Sequence, residues 1–310
     1  MTDYHLPVLF EECLEHLAIR PGGCYLDATM GGGGHSRGIL DRLDETGRLL
    51  CLDQDQDAIR RAEDGLARDP RVTVVQLNFG DLDLLPRSLR TLTFDGILMD
   101  LGVSSHMFDQ SRRGFSFMQD GPLDMRMDAD QPRTAATLLA DLEREELIRL
   151  LRGLGEVQSA VRITDALLRA RETTPLTCTL QVRRIVESVV GTHNSFKVLS
   201  QVFQALRIAV NGELERLEQG LDESLLRLKP EGRLAVISYH SLEDRIVKQR
   251  YRDWERDCIC PPELPFCACQ HRRRVRLVAR NGIVPGKQEI QANPRARSAR
   301  LRVAVKTTEV

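Results

Sequence analysis

Four acids recur where short apolar runs end. Asp27 follows Cys24-Tyr25-Leu26, Asp53 follows Leu49–Leu52, Asp81 lies just beyond Val72–Leu77, and Asp100 closes the run that begins at Phe94. Between the first two stand four consecutive glycines, Gly31–Gly34, and then His35. Glycines let a backbone turn tightly and approach a ligand, because no Cβ is in the way. The start of a helix offers unpaired N–H groups. An acid about 20 residues after such a turn can accept both hydroxyls of a ribose.

These side chains need a scaffold that carries them to one edge. Cys24–Asp27, a helix over His35–Leu43 and the run Leu49–Asp53 make strand, glycine turn, helix, strand and acid: the opening βαβ unit of a nucleotide-binding α/β sheet. The glycine turn fits nicotinamide, flavin and S-adenosylmethionine folds alike. It excludes a P-loop, since no Gly-Lys-Ser or Gly-Lys-Thr follows to supply the phosphate lysine and the magnesium hydroxyl. Ligands of open α/β sheets bind outside the C-terminal strand ends, so the four acids outline a polar rim around one crevice. Phe79 lies at that edge too. It can lie against a purine or simply pack in the core, and both readings stay open.

The rest of the chain sorts by periodicity. An entry helix is expected over residues 4–18, a helix over Gln56–Ala67, and strands over Val72–Leu77 and Phe94–Leu101. Residues 106–131 form a long Gly-, Pro- and Asp-rich loop, a length usually kept for function. Helical periodicity then runs unbroken near 134–140, 143–152, 156–171, 178–190 and 197–211, the last continuing to Leu228. The sheet resumes at Arg233–Tyr239, a helix follows from His240, and Leu301–Lys306 is a closing strand. The domain expectation is a discontinuous sheet domain, 1–108 with 213–310, and a helical insertion, 109–212.

Apolar residues make up 42% and charged residues 29% of the 310, the composition of a globular chain. The N-terminal stretch shows no basic region before an apolar core, and no apolar run is long enough to span a bilayer. A cytoplasmic protein with reduced thiols is the expectation. Net charge is −1, yet residues 245–310 hold 16 Lys and Arg against 6 Asp and Glu. A basic C-terminal fifth on an acidic body suggests a polyanionic partner over a merely solvated face. Arg272-Arg273-Arg274 and Arg295, Arg297, Arg300 and Arg302 are the candidate phosphate contacts. Cys258, Cys260, Cys267 and Cys269 put four thiols in twelve residues. They can hold zinc, but the spacing is not that of common fingers, so a reduced, structurally incidental cluster is the favoured reading and no metal is assigned to the site.

Several blocks together carry a resemblance. DATMGGGGHS, LDQDQDA, LMDLGVSS, RRGFSF, GPLDMRMD, FQALRIAVNGELE, LAVISYHSLEDRIVK and NPRARSARLRV, spread over nearly the whole chain, closely resemble the bacterial ribosomal RNA small subunit methyltransferase H family. The resemblance implies a class I S-adenosylmethionine-dependent methyltransferase: a Rossmann-like, mostly parallel sheet with an all-helical inserted domain. It implies methyl transfer to N4 of a cytidine in the decoding region of 16S rRNA, within the small ribosomal subunit. It implies donor contacts at Gly33, Gly34, His35, Asp53, Phe79 and Asp100. Where the family often has Ser-Ser-Pro-Gln, this chain has Ser104-Ser105-His106-Met107, so a side-chain amide contact cannot be made at Met107.

Asp100, with the carbonyls of Leu101 and Gly102, is the candidate acceptor for an amino group. Phe115, Phe117 and Tyr239 can stack on a base, though core packing is the favoured role for each. Other readings are a methyltransferase acting on DNA cytosine, a non-catalytic ribosome-assembly factor with this fold, and a nicotinamide oxidoreductase. The oligomeric state is left open, a homodimer among the choices.

Overall fold

A computed structural model describes residues 7–308, apart from 259, 261–263, 265, 267 and 270. The chain divides into two units: Met1–Gly102 with Leu214–Val310, and Val103–Glu213.

The first unit is built on one sheet. Its strands are β1 (Cys24–Asp27), β2 (Arg48–Asp53), β3 (Val72–Gln76), β4 (Phe94–Asp100), β5 (Leu228–Ser238), β6 (Val275–Leu277) and β7 (Arg300–Lys306), in the order β3-β2-β1-β4-β5-β7-β6. β1 to β5 run parallel, and β7 is antiparallel to both neighbours. Side chains alternate between faces along a strand, and β4 shows why its sequence is almost continuously apolar. Leu98 joins the core formed with α1 (Phe10–Leu17), α2 (Gly34–Leu40) and α3 (Gln56–Glu63). Ile97 and Met99 join the core formed with α10 (Glu213–Arg227) and α11 (Ser241–Glu255). All three are fully buried, each contributing about 1.5–3 kcal/mol relative to exposure. A strand covered on both faces has no polar side to show. β1 and β4 are adjacent at the centre of the order, which puts Asp27 and Asp100 at neighbouring strand ends.

The second unit comprises α4 (Ser105–Asp109), α5 (Ala135–Asp141), α6 (Arg144–Gly155), α7 (Ala160–Thr173), α8 (Thr179–Val190) and α9 (Ser195–Asn211) around its own apolar core. The long loop between α4 and α5 is tied down. Asn211 of α9 donates to the Met125 carbonyl and accepts from the Met127 amide, both at 2.8 Å, and Met125 sits at φ +62°.

Three expectations need correction. The helix expected to run from 197 to 228 is two helices. Gly212, at φ +59°, takes the left-handed conformation that ends α9, and α10 starts afresh. β5 begins at Leu228, not Arg233, because the Lys229-Pro230-Glu231-Gly232 stretch is absorbed as an irregularity between Phe94 and Gly96, with Glu231 at φ +61°. The entry helix starts at Phe10, after Leu9 at φ +53°, and residues 4–6 of that expectation lie outside the described residues. Short β6 and α12 (Lys287–Ala292) carry too little periodicity to be read beforehand. No helix among the described residues is long and apolar enough to cross a membrane.

Candidate active site

The glycine turn joins β1 to α2. Gly31 and Gly33 stand at φ +51° and +78°, and Gly33 caps the helix. A Cβ on Gly34 would lie 2.3 Å from Pro7 Cγ, so that position admits no side chain, whereas one on Gly32 would meet nothing within 4 Å. The turn is therefore packed on one side and open on the other. A cavity of about 130 Å³ opens beside it, lined by Gly31, Gly32, Gly33, Arg37, Arg61 and Leu66. Asp53, Phe79 and Asp100 do not line that cavity.

Asp53, at the end of β2, accepts from the Gly31 amide at 2.7 Å and the Asp55 amide at 2.8 Å, one on each oxygen. Each oxygen keeps a lone pair for a further donor. Burial pushes its carboxyl up to about 6 against the pull of those amides. Asp27 accepts from Ser36 Oγ at 2.5 Å and the Thr29 amide at 3.2 Å, and burial raises it to about 6 as well.

Asp100, at the end of β4, is 24% exposed. Its Oδ1 accepts from the Tyr239 hydroxyl at 2.8 Å, and its amide donates to Thr29 Oγ1 at 2.6 Å. His35 Nδ1 stands 3.6 Å from Oδ2. Burial pushes Asp100 up to about 7; the tyrosine pulls it down, and Asp27 and Glu243 push it further up. Burial drives the His35 ring the other way, to about 4, so it is neutral at neutral pH. No Lys or Arg pairs with Asp100 among the described residues. The three strand-end acids Asp27, Asp53 and Asp100 are thus all desolvated, with the charge of Asp27 pushing both of the others up.

The fourth acid does not belong to it. Asp81 is turned to Arg216 of α10 in an ion pair. Phe79 stands at the end of β3 with its ring over Gly220, where a Cβ would come within 2.6 Å of it, and it is half-buried against the sheet core. Met107 and Phe115 are buried within the helical unit, and Phe117 stacks edge-on against Phe196 and Phe203 at 5.3 Å. Tyr239 packs against the sheet core and spends its hydroxyl on Asp100. Arg302 is not available to a phosphate. It is 7% exposed and holds both oxygens of Asp244 in α11, at 2.7 and 3.0 Å. β7 lies inside the sheet order, and that position turns its arginine onto the covering helix. Arg272, Arg273 and Arg297 remain exposed, with Arg273 bonded to Asp257 at 2.8 Å.

A family model for the MraW methylase family matches residues 2–307. The chain belongs to the MraW methylase family. A protein of Symbiobacterium thermophilum named ribosomal RNA small subunit methyltransferase H is 47% identical over 99% of this chain and 98% of its own. One of the same name from Syntrophotalea carbinolica is 48% identical over 96% of both. An rRNA methylase structure from Streptococcus thermophilus aligns over 96% of this chain and 95% of its own, at 11% identity and a TM-score of 0.43. The methylase is S-adenosylmethionine-dependent, with the class I sheet described above. Its strand ends fit that donor: Asp53 has lone pairs to spare, the turn is open at Gly32 and Gly33, and buried His35 Nε2 has no hydrogen-bond partner among the described residues.

The supporting residues of this methylase escaped the sequence reading. Thr29, Ser36 and the Tyr239 hydroxyl position the acids. Glu243, buried at the start of α11, accepts from the Tyr239 amide at 2.8 Å and forms a capping box with His240. The one signal was the density of polar residues in SYHSLED, which is read as a cap only once the helix start is known.

Proposed function

We propose that the methylase transfers the methyl group of S-adenosylmethionine to N4 of a cytidine in the decoding region of 16S rRNA, within the small ribosomal subunit in the cytoplasm. The observation that carries this reading is Asp100: a carboxylate at the centre of the sheet edge that accepts from the Tyr239 hydroxyl, on a backbone whose amide donates to Thr29 Oγ1, with no Lys or Arg paired to it among the described residues. The names of the relatives support the rRNA acceptor.

When bound, the donor supplies a methyl group already activated by its sulfonium charge. The residues have the rest to do. Asp53 accepts from the ribose hydroxyls through the lone pairs that Gly31 and Asp55 leave free. Gly33, Gly34 and His35 line the turn, and Phe79 flanks the base. The exocyclic amine of cytosine is a weak nucleophile because its lone pair is delocalised into the ring. Asp100 Oδ2, with the Leu101 and Gly102 carbonyls, accepts its N–H groups and turns the lone pair toward the methyl carbon, so positioning supplies much of the rate. The bound donor would give up its methyl carbon to that nitrogen, its sulfur leaving with the carbon–sulfur electron pair. The nitrogen then sheds one proton, which a carboxylate titrating near 7 can hold.

The helical unit, Val103–Glu213, is the substrate-recognition domain in this reading. Exposed Arg272 and Arg297 contact phosphate, which makes binding weaken with salt.

The test is methyl transfer from labelled donor to unmodified small subunits, with nucleoside mass spectrometry. N4-methylcytidine in 16S rRNA and none in DNA is expected. A methylated nucleoside of any other kind would remove the acceptor assignment.

A further inference from the structure

The segment joining α11 to β6 has little to hold it by burial. Among the described residues, none between Glu255 and Val275 is buried, and Leu264 and Phe266 are 49% and 84% exposed. Its two ends are nevertheless tied to the end of α11. The Arg274 amide donates to the Trp254 carbonyl at 2.8 Å, Arg273 Nε to the Glu255 carbonyl at 3.1 Å, and the Arg274 guanidinium lies over the Trp254 ring. His271 Nε2 lies 2.9 Å from the Asp253 carbonyl.

Three thiols converge there. The sulfurs of Cys258, Cys260 and Cys269 lie within 4.8 Å of one another, and those of Cys258 and Cys269 are 3.7 Å apart. A disulfide would need about 2.05 Å. Two sulfurs bound to one tetrahedral zinc at about 2.3 Å stand about 3.8 Å apart. A second observation is independent of that spacing: every one of the three sulfurs accepts a backbone amide. Cys260 N donates to Cys258 Sγ at 3.4 Å, Ala268 N to Cys260 Sγ at 3.3 Å, and His271 N to Cys269 Sγ at 3.4 Å. A neutral thiol is a weak acceptor, whereas a thiolate is a strong one. Amides aimed at each sulfur are the outer shell that orients metal-bound thiolates.

We propose that Cys258, Cys260 and Cys269 form a structural zinc site that closes this segment. The soft sulfur donors and tetrahedral spacing select zinc over magnesium or calcium. On binding, each thiol coordinates as the thiolate and its proton goes to solvent. The remaining coordination position takes one further donor. Cys267 lies outside the described residues and is not needed for the assignment. The site lies next to Arg272-Arg273-Arg274, so the metal also sets how that cationic run is presented. The sequence spacing is not that of fingers, but Cys-x-Cys ligands need not lie on one: the sulfurs of Cys258, Cys260 and Cys269 meet although the last two are far apart along the segment.

The experiment uses the full chain, purified with reductant, stripped with chelator and loaded with zinc or cobalt alone. About one zinc per chain should survive gel filtration. Cobalt should show sulfur-to-metal charge-transfer absorption with tetrahedral visible bands. Cys258→Ser and Cys269→Ser should each weaken zinc at least about tenfold, and Cys178→Ser, a thiol in the helical unit, should leave it unchanged. The wild-type cobalt spectrum does not depend on how the variants fold. Cobalt bound without a sulfur band overturns the proposal. So does zinc held equally well by Cys258→Ser and Cys269→Ser, or a wild type that retains none.

Discussion

Asp100 and Asp124 are equally exposed, at 24% and 25%, yet their carboxyls are pushed in opposite directions. At the sheet edge, Asp100 rises to about 7, raised first by burial and further by Asp27 and Glu243. In the loop of the helical unit, burial also pushes Asp124 up, but Arg126 more than offsets it and holds the acid below its usual range. The arginine grips both oxygens, each at 2.8 Å. Exposed area alone does not separate them: Asp100 is the more deeply desolvated, and Asp124 has an arginine to offset its burial. An acid closed by its own arginine is part of the architecture. An acid that accepts from a hydroxyl, near a neutral imidazole and other acids, still has charge and lone pairs to offer a ligand.

That contrast can be broken by substitution. Asp100→Asn should slow methyl transfer about 100-fold, while donor affinity measured by calorimetry falls less. Equal losses in both would reduce Asp100 to a donor contact. Asp53→Ala should weaken donor binding by about 3 kcal/mol, the scale of two hydrogen bonds to a charged group. Retained affinity would remove Asp53 from the ribose. Tyr239→Phe should cost about tenfold in kcat, the scale of one such bond. It should also move the pH–rate profile to higher pH, because the hydroxyl lowers the Asp100 carboxyl.

A pH series separates the two regions by sign. Carboxyls raised in the fold stabilise it fully below the unfolded value of 3.8, and that contribution is lost as pH rises through about 6 for Asp27 and Asp53 and about 7 for Asp100. Asp124 does the reverse: its contribution is present above the unfolded value and lost as pH falls. Donor-free protein should therefore lose stability from pH 4 to 7 in proportion to the strand-end acids. Asp100→Asn should flatten the upper part of that slope in denaturant titrations. The smallest effect belongs to Asp124→Asn, which should cost about 1 kcal/mol of stability, as a part-exposed pair does. Donor affinity should stay at the wild-type value; a change there would mean that the loop reaches the donor site.

The sheet was legible because its signals are local. A β-branched run such as Val72–Val75, or a glycine turn followed by a helical period, depends on neighbours a few residues away. The insertion helices were legible for the same reason. Gly212 was not, because one glycine inside a helical pattern reads as tolerated until its φ is seen. At the site, the acids could be placed at strand ends from their position alone. Their fates could not. Asp81 and Asp100 look alike in sequence, and only the packing of α10 against the Phe79–Gly80 turn beyond β3 gives Asp81 an arginine, while the residue just past β5 gives Asp100 a tyrosine 139 residues away.

Residue types and periods by themselves determined the opening strand–turn–helix–strand unit, the later strands of β-branched and apolar character, the helical stretch between them and the edge where chemistry gathers, since each follows from short-range geometry. Which acid is neutralised and which is left desolvated, that Arg302 faces Asp244 and not a phosphate, and that three cysteines share one point were decided only by tertiary structure. Charge pairing and desolvation are set by through-space neighbours, and neighbours far apart in the chain are chosen by the whole fold.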